Sequence, residues 1–295
     1  MITPVWPVFV CAKLGYNGAH KEATHMTIKL IATDIDGTFL NDNSQYDHAY
    51  FQQLMTQMKT QNVRFIVASG NQYPHLPQYF EEINGEITYL AEDGAHIVAN
   101  GQAISEDLIP PTLVHDALRW MAQNDGFKHA WLILSGQHGS YTEIPASAKR
   151  FKQSSYFYGD LRSVMDLMEV TDAIYKLDIT WRQFDVSQQE RDFNAAFKGR
   201  LRATSSGLGG LDIILPHVNK AYGLRKLQDM WGITKAETLA FGDSGNDVEM
   251  LQQAKFGYVM KNAPVAVQRQ VGLVTDDDNN HNGMLKTVAR YLAEQ

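Results

Sequence analysis

Two aspartates separated by a single residue are the first candidates for chemistry in this chain. They lie in Asp34-Ile35-Asp36-Gly37-Thr38, directly after the apolar residues 28–33. One carboxylate of such a pair can attack phosphorus, while the other protonates the leaving oxygen and later helps to activate water. Asp34 is the candidate nucleophile and Asp36 the candidate acid, and Gly37 would let the backbone turn sharply near a bound phosphate. Alone, the motif is more typical of an acidic turn after a strand.

Three further segments carry groups that suit a phosphate or a cation. Ser69-Gly70 follows the strand-like residues 64–68 and offers a hydroxyl and free amides. Lys220 opens a predicted helix, where its charge could neutralise a phosphoryl group and Asp34. Gly242-Asp243-Ser244-Gly245-Asn246-Asp247 supplies the second carboxylate that a hard cation such as Mg²⁺ prefers. Each is common in turns, but all of them in this order at predicted strand ends indicate one site.

Alternating strands and helices are expected to position these segments. Residues 28–33 and 64–68 read as buried strands, and between them Phe51, Leu54, Met55 and Met58 are spaced as one face of a helix. The C-terminal part repeats the alternation. The predicted fold class is therefore α/β, a doubly wound, Rossmann-like parallel sheet between helices. Ligands bind at the carboxyl ends of the strands in such sheets, where all four segments fall.

The middle of the chain has a different pattern, with half-exposed strands and helices of uneven length. Val114, Ala117, Leu118 and Met121 form a helical face after Pro110-Pro111. We predict an α+β domain at 108–212, inserted into a core domain made of 26–107 and 213–295. The segment Gly207-Leu208-Gly209-Gly210 predicts a hairpin or hinge within the insertion.

Composition narrows the function classes. The 295 residues are 44% hydrophobic and 20% charged, as in ordinary globular proteins. A formal net charge of −7 argues against nucleic acid or an anionic membrane surface as the main partner. The single cysteine, Cys11, excludes an internal disulfide and favours a reducing, cytoplasmic setting. Residues 1–25 hold only a short, proline-containing apolar run, so we predict that they are an extension outside the fold.

In combination, the motifs resemble the haloacid dehalogenase (HAD) superfamily, and specifically the Cof-type sugar phosphatases with a large α+β (C2-type) cap. The resemblance covers residues 28–295. It implies Mg²⁺ bound by Asp34, the backbone carbonyl of Asp36 and Asp243, with Ser244 nearby and Asp247 supporting the metal from behind. It also implies a set of phosphate-binding residues: Ile35, Ser69, Gly70, Lys220 and Asn246. Asn71 stands where many members of the family carry Arg, a departure that bears on the substrate.

The resemblance implies a Mg²⁺-dependent phosphatase that hydrolyses small sugar phosphates, such as hexose or pentose monophosphates, through an aspartyl phosphate on Asp34. The expected partner is a small phosphorylated metabolite. Two alternatives stay open, a phosphotransferase or mutase on the same scaffold and a non-catalytic sugar-phosphate-binding regulator. Within the cap, Tyr141, Tyr156 and Lys176 are candidate sugar contacts, although a structural role is more typical of each. The stretch Asp276-Asp277-Asp278-Asn279-Asn280 is more typical of a solvated loop than of a cation site.

Overall fold

The computed structural model describes residues 27–182, 185–207 and 209–295. The predicted N-terminal extension lies outside these residues. The strands are β1 Leu30–Thr33, β2 Arg64–Ala68, β3 Ile87–Ala91, β4 His96–Ala99, β5 Gln102–Glu106, β6 Trp131–Gly136, β7 Ser140–Thr142, β8 Leu161–Ser163, β9 Ile174–Thr180, β10 Arg202–Gly207, β11 Gly210–Ile214, β12 Thr238–Gly242, β13 Phe256–Val259 and β14 Leu273–Val274. The α-helices are α1 His48–Thr60, α2 Pro111–Gln123, α3 Lys149–Ser154, α4 Ser187–Ala196, α5 Lys220–Trp231, α6 Val248–Gln253, α7 Val265–Val271 and α8 Gly283–Ala293.

The first sheet has the strand order β14-β13-β12-β1-β2-β3-β4-β5. The strands from β14 to β3 are parallel, as predicted, whereas β4 and β5 pair antiparallel and form one edge. Strand β1 lies between β12 and β2 and is buried along its whole length, which explains its continuous apolar sequence. The predicted site segments after β1, β2 and β12 therefore emerge side by side at one edge of the sheet.

Helices cover both faces of this sheet, which confirms the doubly wound class. On one face α1 contacts α8, and the buried residues of α1 are the four predicted from their spacing: Phe51, Leu54, Met55 and Met58. On the other face α5 contacts α6, with Leu224 and Leu227 in a separate apolar cluster. Within the described residues, no helix combines the length and the apolar character needed to span a membrane.

A second sheet, of six strands, is formed by residues between β5 and α5, in the order β10-β11-β9-β6-β7-β8. Its pairs are antiparallel except for β7 with β8. Strands β10 and β11 form the predicted hairpin, although Leu208 at its tip is outside the described residues. The domain boundaries stay a prediction, and the one placed after residue 212 falls inside β11.

The two faces of the second sheet differ in polarity because side chains alternate along each strand. Leu177 and Ile179 of β9 join an apolar cluster that includes the buried faces of α2 and α4. The alternate residues Lys176, Asp178 and Thr180 line a cavity of about 560 Å³ between the two sheets. The polar face of the second sheet thus covers the carboxyl edge of the first.

Candidate active site

The site is organised around Lys220, the first residue of α5, which bridges two aspartates. Its Nζ lies 2.6 Å from Oδ1 of Asp34 and 2.7 Å from Oδ1 of Asp247. Asp34 comes directly after β1, and its amide donates to the carbonyl of Phe241 in β12 at 3.0 Å. The parallel pairing of β1 and β12 thus continues into the site. All three charged side chains are buried, at 2% exposed for Lys220, 7% for Asp34 and 0% for Asp247.

Asp247 also fixes the loop after β12. Its Oδ2 accepts hydrogen bonds from the amides of Asp243 at 3.1 Å and Ser244 at 3.0 Å. The hydroxyl of Ser244 donates to Oδ1 of Asn246 at 2.6 Å. Since both oxygens of Asp247 are engaged, this carboxylate orders Lys220 and the loop.

Asp243 lies against the first motif and close to Asp34. Asp34, Asp243 and Asp247 can each offer a carboxylate oxygen within 4.8 Å of the others. Gly37 has φ = +74°, and a Cβ at this position would lie 2.6 Å from Oδ2 of Asp243. Glycine is therefore required here both by the backbone conformation and by the close approach of Asp243.

Burial dominates the electrostatics of these carboxylates. It raises the pKa of Asp34 well above the usual value, and burial together with Asp247 raises the pKa of Asp243 to about 7. Although burial opposes the charge of Lys220, the carboxylates of Asp247 and Asp34 raise its pKa. Three carboxylates share one ammonium here, so a further cation would be stabilised. Oxygen donors of this kind suit a hard divalent ion such as Mg²⁺.

The second predicted segment forms a tight loop after β2. Ser69 is buried at 2% exposed, and its Oγ accepts from the amide of Asn71 at 3.0 Å. The amide of Asp93 donates to the carbonyl of Ser69 at 3.1 Å, and that of Glu92 donates to the carbonyl of Asn71 at 3.1 Å. Residues after β3 therefore fix the loop through hydrogen bonds to its backbone carbonyls.

Asp36 and Ile35 occupy opposite environments. Asp36 is exposed, and Nδ2 of Asn71 lies 3.4 Å from its Oδ2. The side chain of Ile35 is fully buried in the core cluster that contains Phe51. Its carbonyl accepts the amides of Thr38, Phe39 and Leu40. Only backbone atoms of Ile35 are thus available for phosphate.

The cavity brings most of the predicted residues together. From the first sheet it is lined by Asp34, Asp36, Ser69, Gly70, Asn71, Lys220, Ser244 and Asn246. From the second sheet and its helices it is lined by Ile133, Arg150, Gln153, Ser154, Phe157, Tyr158, Lys176, Asp178, Thr180, Ser206, Gly210 and Asp212. A larger groove of about 740 Å³, which includes Trp131 and Leu167, contains none of the predicted site residues.

The candidate sugar contacts of the sequence have different positions. Lys176 lines the cavity. Tyr141 donates instead to Asp172 at 3.0 Å. Tyr156 is 60% exposed and packs edge-on against His75.

The acidic loop before α8 braces the chain that follows the first motif. Nδ2 of Asn279 donates to the carbonyl of Leu40 and to Oδ1 of Asp42, both at 3.1 Å. Asn280 also hydrogen-bonds Asp42, at 3.0 Å through Nδ2 and at 3.1 Å through Oδ1. The two asparagines thus support a loop.

Sequence reasoning missed two supports of the site. Nδ2 of Asn262 donates to the carbonyl of Gly37 at 2.8 Å, and the segment Glu92-Asp93-Gly94 lies under Ser69-Gly70 with φ values of 53°, 56° and 101°. Both follow a parallel strand of the first sheet, β13 and β3 respectively. The sequence feature that could have identified them is the polar residues that follow two further strands of the same sheet.

Comparison with known proteins places the chain in a family. The family model for haloacid dehalogenase-like hydrolases matches residues 31–288. The 5-amino-6-(5-phospho-D-ribitylamino)uracil phosphatase YbjI of Escherichia coli K12 is 34% identical over 275 residues, covering 92% of this chain and 98% of the relative. A crystal structure of a protein from Streptococcus mutans UA159 is 32% identical with a TM-score of 0.83, covering 90% of this chain and all of that one.

The chain therefore belongs to the haloacid dehalogenase-like hydrolases, as its motifs suggested. Within that family it is a phosphatase, a phosphoric monoester hydrolase. A Bacillus subtilis relative with the same phosphatase name, YcsE, is 23% identical over 274 residues. The fold class and the enzyme class predicted from the sequence are confirmed.

Proposed function

We propose that the chain is a Mg²⁺-dependent phosphatase that hydrolyses small phosphorylated metabolites, sugar phosphates in particular, through an aspartyl phosphate on Asp34. The observation that carries this proposal is the Lys220 bridge between Asp34 and Asp247 at the base of a cavity that also holds Ser69. A nucleophile beside a buried cation, in a cavity that also offers hydroxyl and amide donors, suits phosphoryl transfer. The single cysteine supports the cytoplasmic setting that we include in the proposal.

The reaction consists of two in-line transfers. In the first, an oxygen of Asp34 bonds to phosphorus, the bond from phosphorus to the sugar oxygen breaks, and Asp36 gives that oxygen its proton. In the second, Asp36 takes a proton from water as the water oxygen bonds to phosphorus, and the bond to Asp34 breaks to release inorganic phosphate. The phosphoryl oxygens are held by this set: Lys220, the hydroxyl of Ser69, the amides of Ile35 and Gly70, and Asn246.

The oxygen donors around Asp34 fit Mg²⁺. The carboxylates of Asp34 and Asp243, the backbone carbonyl of Asp36 and the neighbouring Ser244 would hold it. When bound, the ion supplies positive charge to the phosphoryl oxygens. Asp247 supports the site from behind, because Lys220 and two amides already occupy its oxygens.

The cap side of the cavity supports a hydroxylated leaving group. Gln153, Asp178 and Thr180 line it and offer both donors and acceptors to sugar hydroxyls. Hexose and pentose monophosphates fit this chemistry. Formation of free phosphate, and not of a second phosphosugar, distinguishes hydrolysis from the transferase or mutase alternative.

A second candidate substrate is 5-amino-6-(5-phospho-D-ribitylamino)uracil, which appears in the name of the Escherichia coli relative. Its ribityl chain is a polyol that the same cap groups could bind. Phe157 also lines the cavity and is 47% exposed, so it offers a face on which a planar ring can stack. Comparing kcat/KM for this compound with that for hexose and pentose monophosphates, with and without Mg²⁺, decides between the two candidates.

Replacing Asp34 by Asn tests the nucleophile. Asp34→Asn should leave less than about 1% of wild-type turnover, because covalent catalysis rarely survives loss of its nucleophile. Lys220 keeps Asp247 as a partner, so the fold should persist, as judged by circular dichroism and thermal melting. Asp229→Asn, an exposed position on α5, is the matched control. A phosphoenzyme detected by mass spectrometry in the variant, or turnover above that level, would contradict the assignment.

A further inference from the structure

Lys176 is a buried lysine that reaches from the second sheet into the loop after β2. It is 3% exposed, and its Nζ donates to the carbonyl of Gly70 at 2.6 Å. The nearest oxygens of Asp212 and Glu92 are farther away, at 3.3 and 3.7 Å. Although burial opposes its charge, these carboxylates raise the pKa of Lys176, so it is protonated at neutral pH. The closest contact of this ammonium is thus a peptide carbonyl beside the proposed phosphate site.

The carbonyl that Lys176 contacts belongs to the same peptide group as the amide of Asn71. That amide donates to Oγ of Ser69 at 3.0 Å. A charged donor on the carbonyl polarises the peptide and strengthens the donation at its other end. Because Oγ of Ser69 accepts this hydrogen bond, the hydroxyl hydrogen is directed elsewhere, and Ser69 itself faces the cavity.

The amide of Ser69 and the carbonyls of Ser69 and Asn71 are held from the first sheet itself. The amide of Ser69 donates to the carbonyl of Leu90 at 2.9 Å, and the amides of Glu92 and Asp93 hold the loop carbonyls. Lys176, by contrast, approaches from the second sheet. The orientation of the Gly70–Asn71 peptide therefore depends on how the second sheet sits over the first.

We propose that Lys176 is a positioning residue for phosphate binding. It fixes the Gly70–Asn71 peptide, which in turn aims the hydroxyl of Ser69 at a phosphoryl oxygen. The inference rests on the proposed function, since it takes Ser69 as a phosphate ligand. In this arrangement the second sheet covers the leaving group and also completes the phosphate site.

Removing the lysine alone would confound two effects. Lys176 lies among the carboxylates of Glu92, Asp93 and Asp212, and loss of one partner from a buried charge cluster is strongly destabilising. The double variant Lys176→Met/Glu92→Gln removes one positive and one negative charge and should melt closer to the wild type than Lys176→Met. Glu92→Gln is the matched control, because it changes the cluster and keeps the Lys176–Gly70 hydrogen bond.

The test is calorimetric titration of the folded proteins with inorganic phosphate in the presence of Mg²⁺. Loss of a charged hydrogen bond in the double variant should weaken phosphate binding by about tenfold, whereas Glu92→Gln should stay within about twofold of the wild type. Phosphate affinity of the double variant equal to that of Glu92→Gln would overturn the proposal. Absence of phosphate binding by the wild type would overturn it as well.

Ser69→Ala shows whether Lys176 acts through the hydroxyl. If it does, adding Lys176→Met/Glu92→Gln to Ser69→Ala should weaken phosphate binding by no more than about twofold, because the two sites are coupled. Fully additive losses would mean that Lys176 does not act through Ser69. Titration does not need turnover, so a wild type that binds phosphate and hydrolyses no phosphomonoester would refute the proposed function while leaving the Lys176 result intact.

Discussion

At the scale of single residues, the site depends on close approaches that leave no room for a side chain. Gly37 is the clearest case. Its left-handed φ disfavours any residue with a Cβ, and a Cβ at this position would also lie 2.6 Å from Oδ2 of Asp243. Asn262 adds a hydrogen bond to the carbonyl of Gly37 and so fixes the turn from another side. The relative position of Asp34 and Asp243 is set by this turn.

Gly37→Ala should therefore impair metal binding beyond its effect on stability. Its matched control is Gly101→Ala, since Gly101 has a similar φ of +73° with nothing within 4 Å of a Cβ. Both variants should lose about 1 kcal/mol of unfolding free energy from backbone strain. Only Gly37→Ala should displace Asp243 and raise the Mg²⁺ concentration for half-maximal activity, by about tenfold if one ligand contact is lost. Equal Mg²⁺ requirements in the two variants would show that the close approach has no role.

Lys220 follows β11, an antiparallel strand of the second sheet, so the prediction that all four segments end parallel strands of one sheet was wrong for this residue. Asp34, Ser69 and Asp243 could be named from the sequence because each follows a parallel strand, and parallel strand ends meet at one edge.

The supporting residues could not be named in this way. The amide of Asp93 and the side chain of Asn262 each bind a backbone carbonyl of another loop, and nothing in the spacing of these residues identifies those partners. Lys176 was named only as a candidate sugar contact. It alternates with apolar residues as a half-exposed strand residue would, and only the packing of one sheet over the other buries it and brings it to the carbonyl of Gly70.

At the scale of elements, strong periodicity predicted the helices well. The apolar stripes of α1 and α2 match their buried residues, and β2 has the predicted bounds. The antiparallel pair β4 and β5 was missed, because an edge hairpin carries no crossover helix to signal it. The turn Lys235–Glu237 directly precedes β12, and Glu237 ties it to Lys29, the residue before β1.

Glu237 should make this junction sensitive to acid. Its carboxylate pairs with Lys29 at 2.6 Å and accepts from the amide of Thr234 at 2.8 Å, and these contacts lower its pKa from 4.5 to about 2. A carboxyl group whose pKa is lower in the folded than in the unfolded state stabilises the fold at pH values above its unfolded-state pKa. This stabilisation is lost as the pH falls through its folded-state pKa. Glu237→Gln should reduce the unfolding free energy by roughly 1 kcal/mol near pH 7, after allowance for solvent screening.

The difference between wild type and Glu237→Gln should shrink as pH falls from about 4.5 towards about 2, because both forms are then uncharged. Urea unfolding at a series of pH values measures it. Glu81→Gln, another glutamate at a surface position, serves as the control. If the difference in unfolding free energy does not change with pH, the variant is destabilised by altered hydrogen-bond geometry and not by loss of the charge.

At the scale of the whole molecule, the two sheets are joined by an apolar cluster that includes Ala95 and Tyr175 and by a buried polar contact. Nε2 of Gln72, from the loop after β2, lies 2.7 Å from Oγ of Ser135 and 2.7 Å from Oγ of Ser140. Both serines are fully buried in the second sheet. These hydrogen bonds form only while the two sheets keep this relative position. A buried donor that loses its acceptor destabilises the folded state.

Gln72→Ala should therefore loosen the second sheet over the site. We expect a loss of about 1–3 kcal/mol in unfolding free energy, because two buried hydroxyls lose a partner. Amide hydrogen exchange should accelerate in β6 and β7, which carry these serines, before it does so in β1 or β12. Gln52→Ala is the control, since Gln52 of α1 makes a pair of hydrogen bonds with Asn84, a residue between β2 and β3 of the first sheet. If exchange in β6 and β7 rises equally in both variants, Gln72 contributes only to global stability. A selective rise would show that this glutamine holds the second sheet against the edge where Asp34 lies.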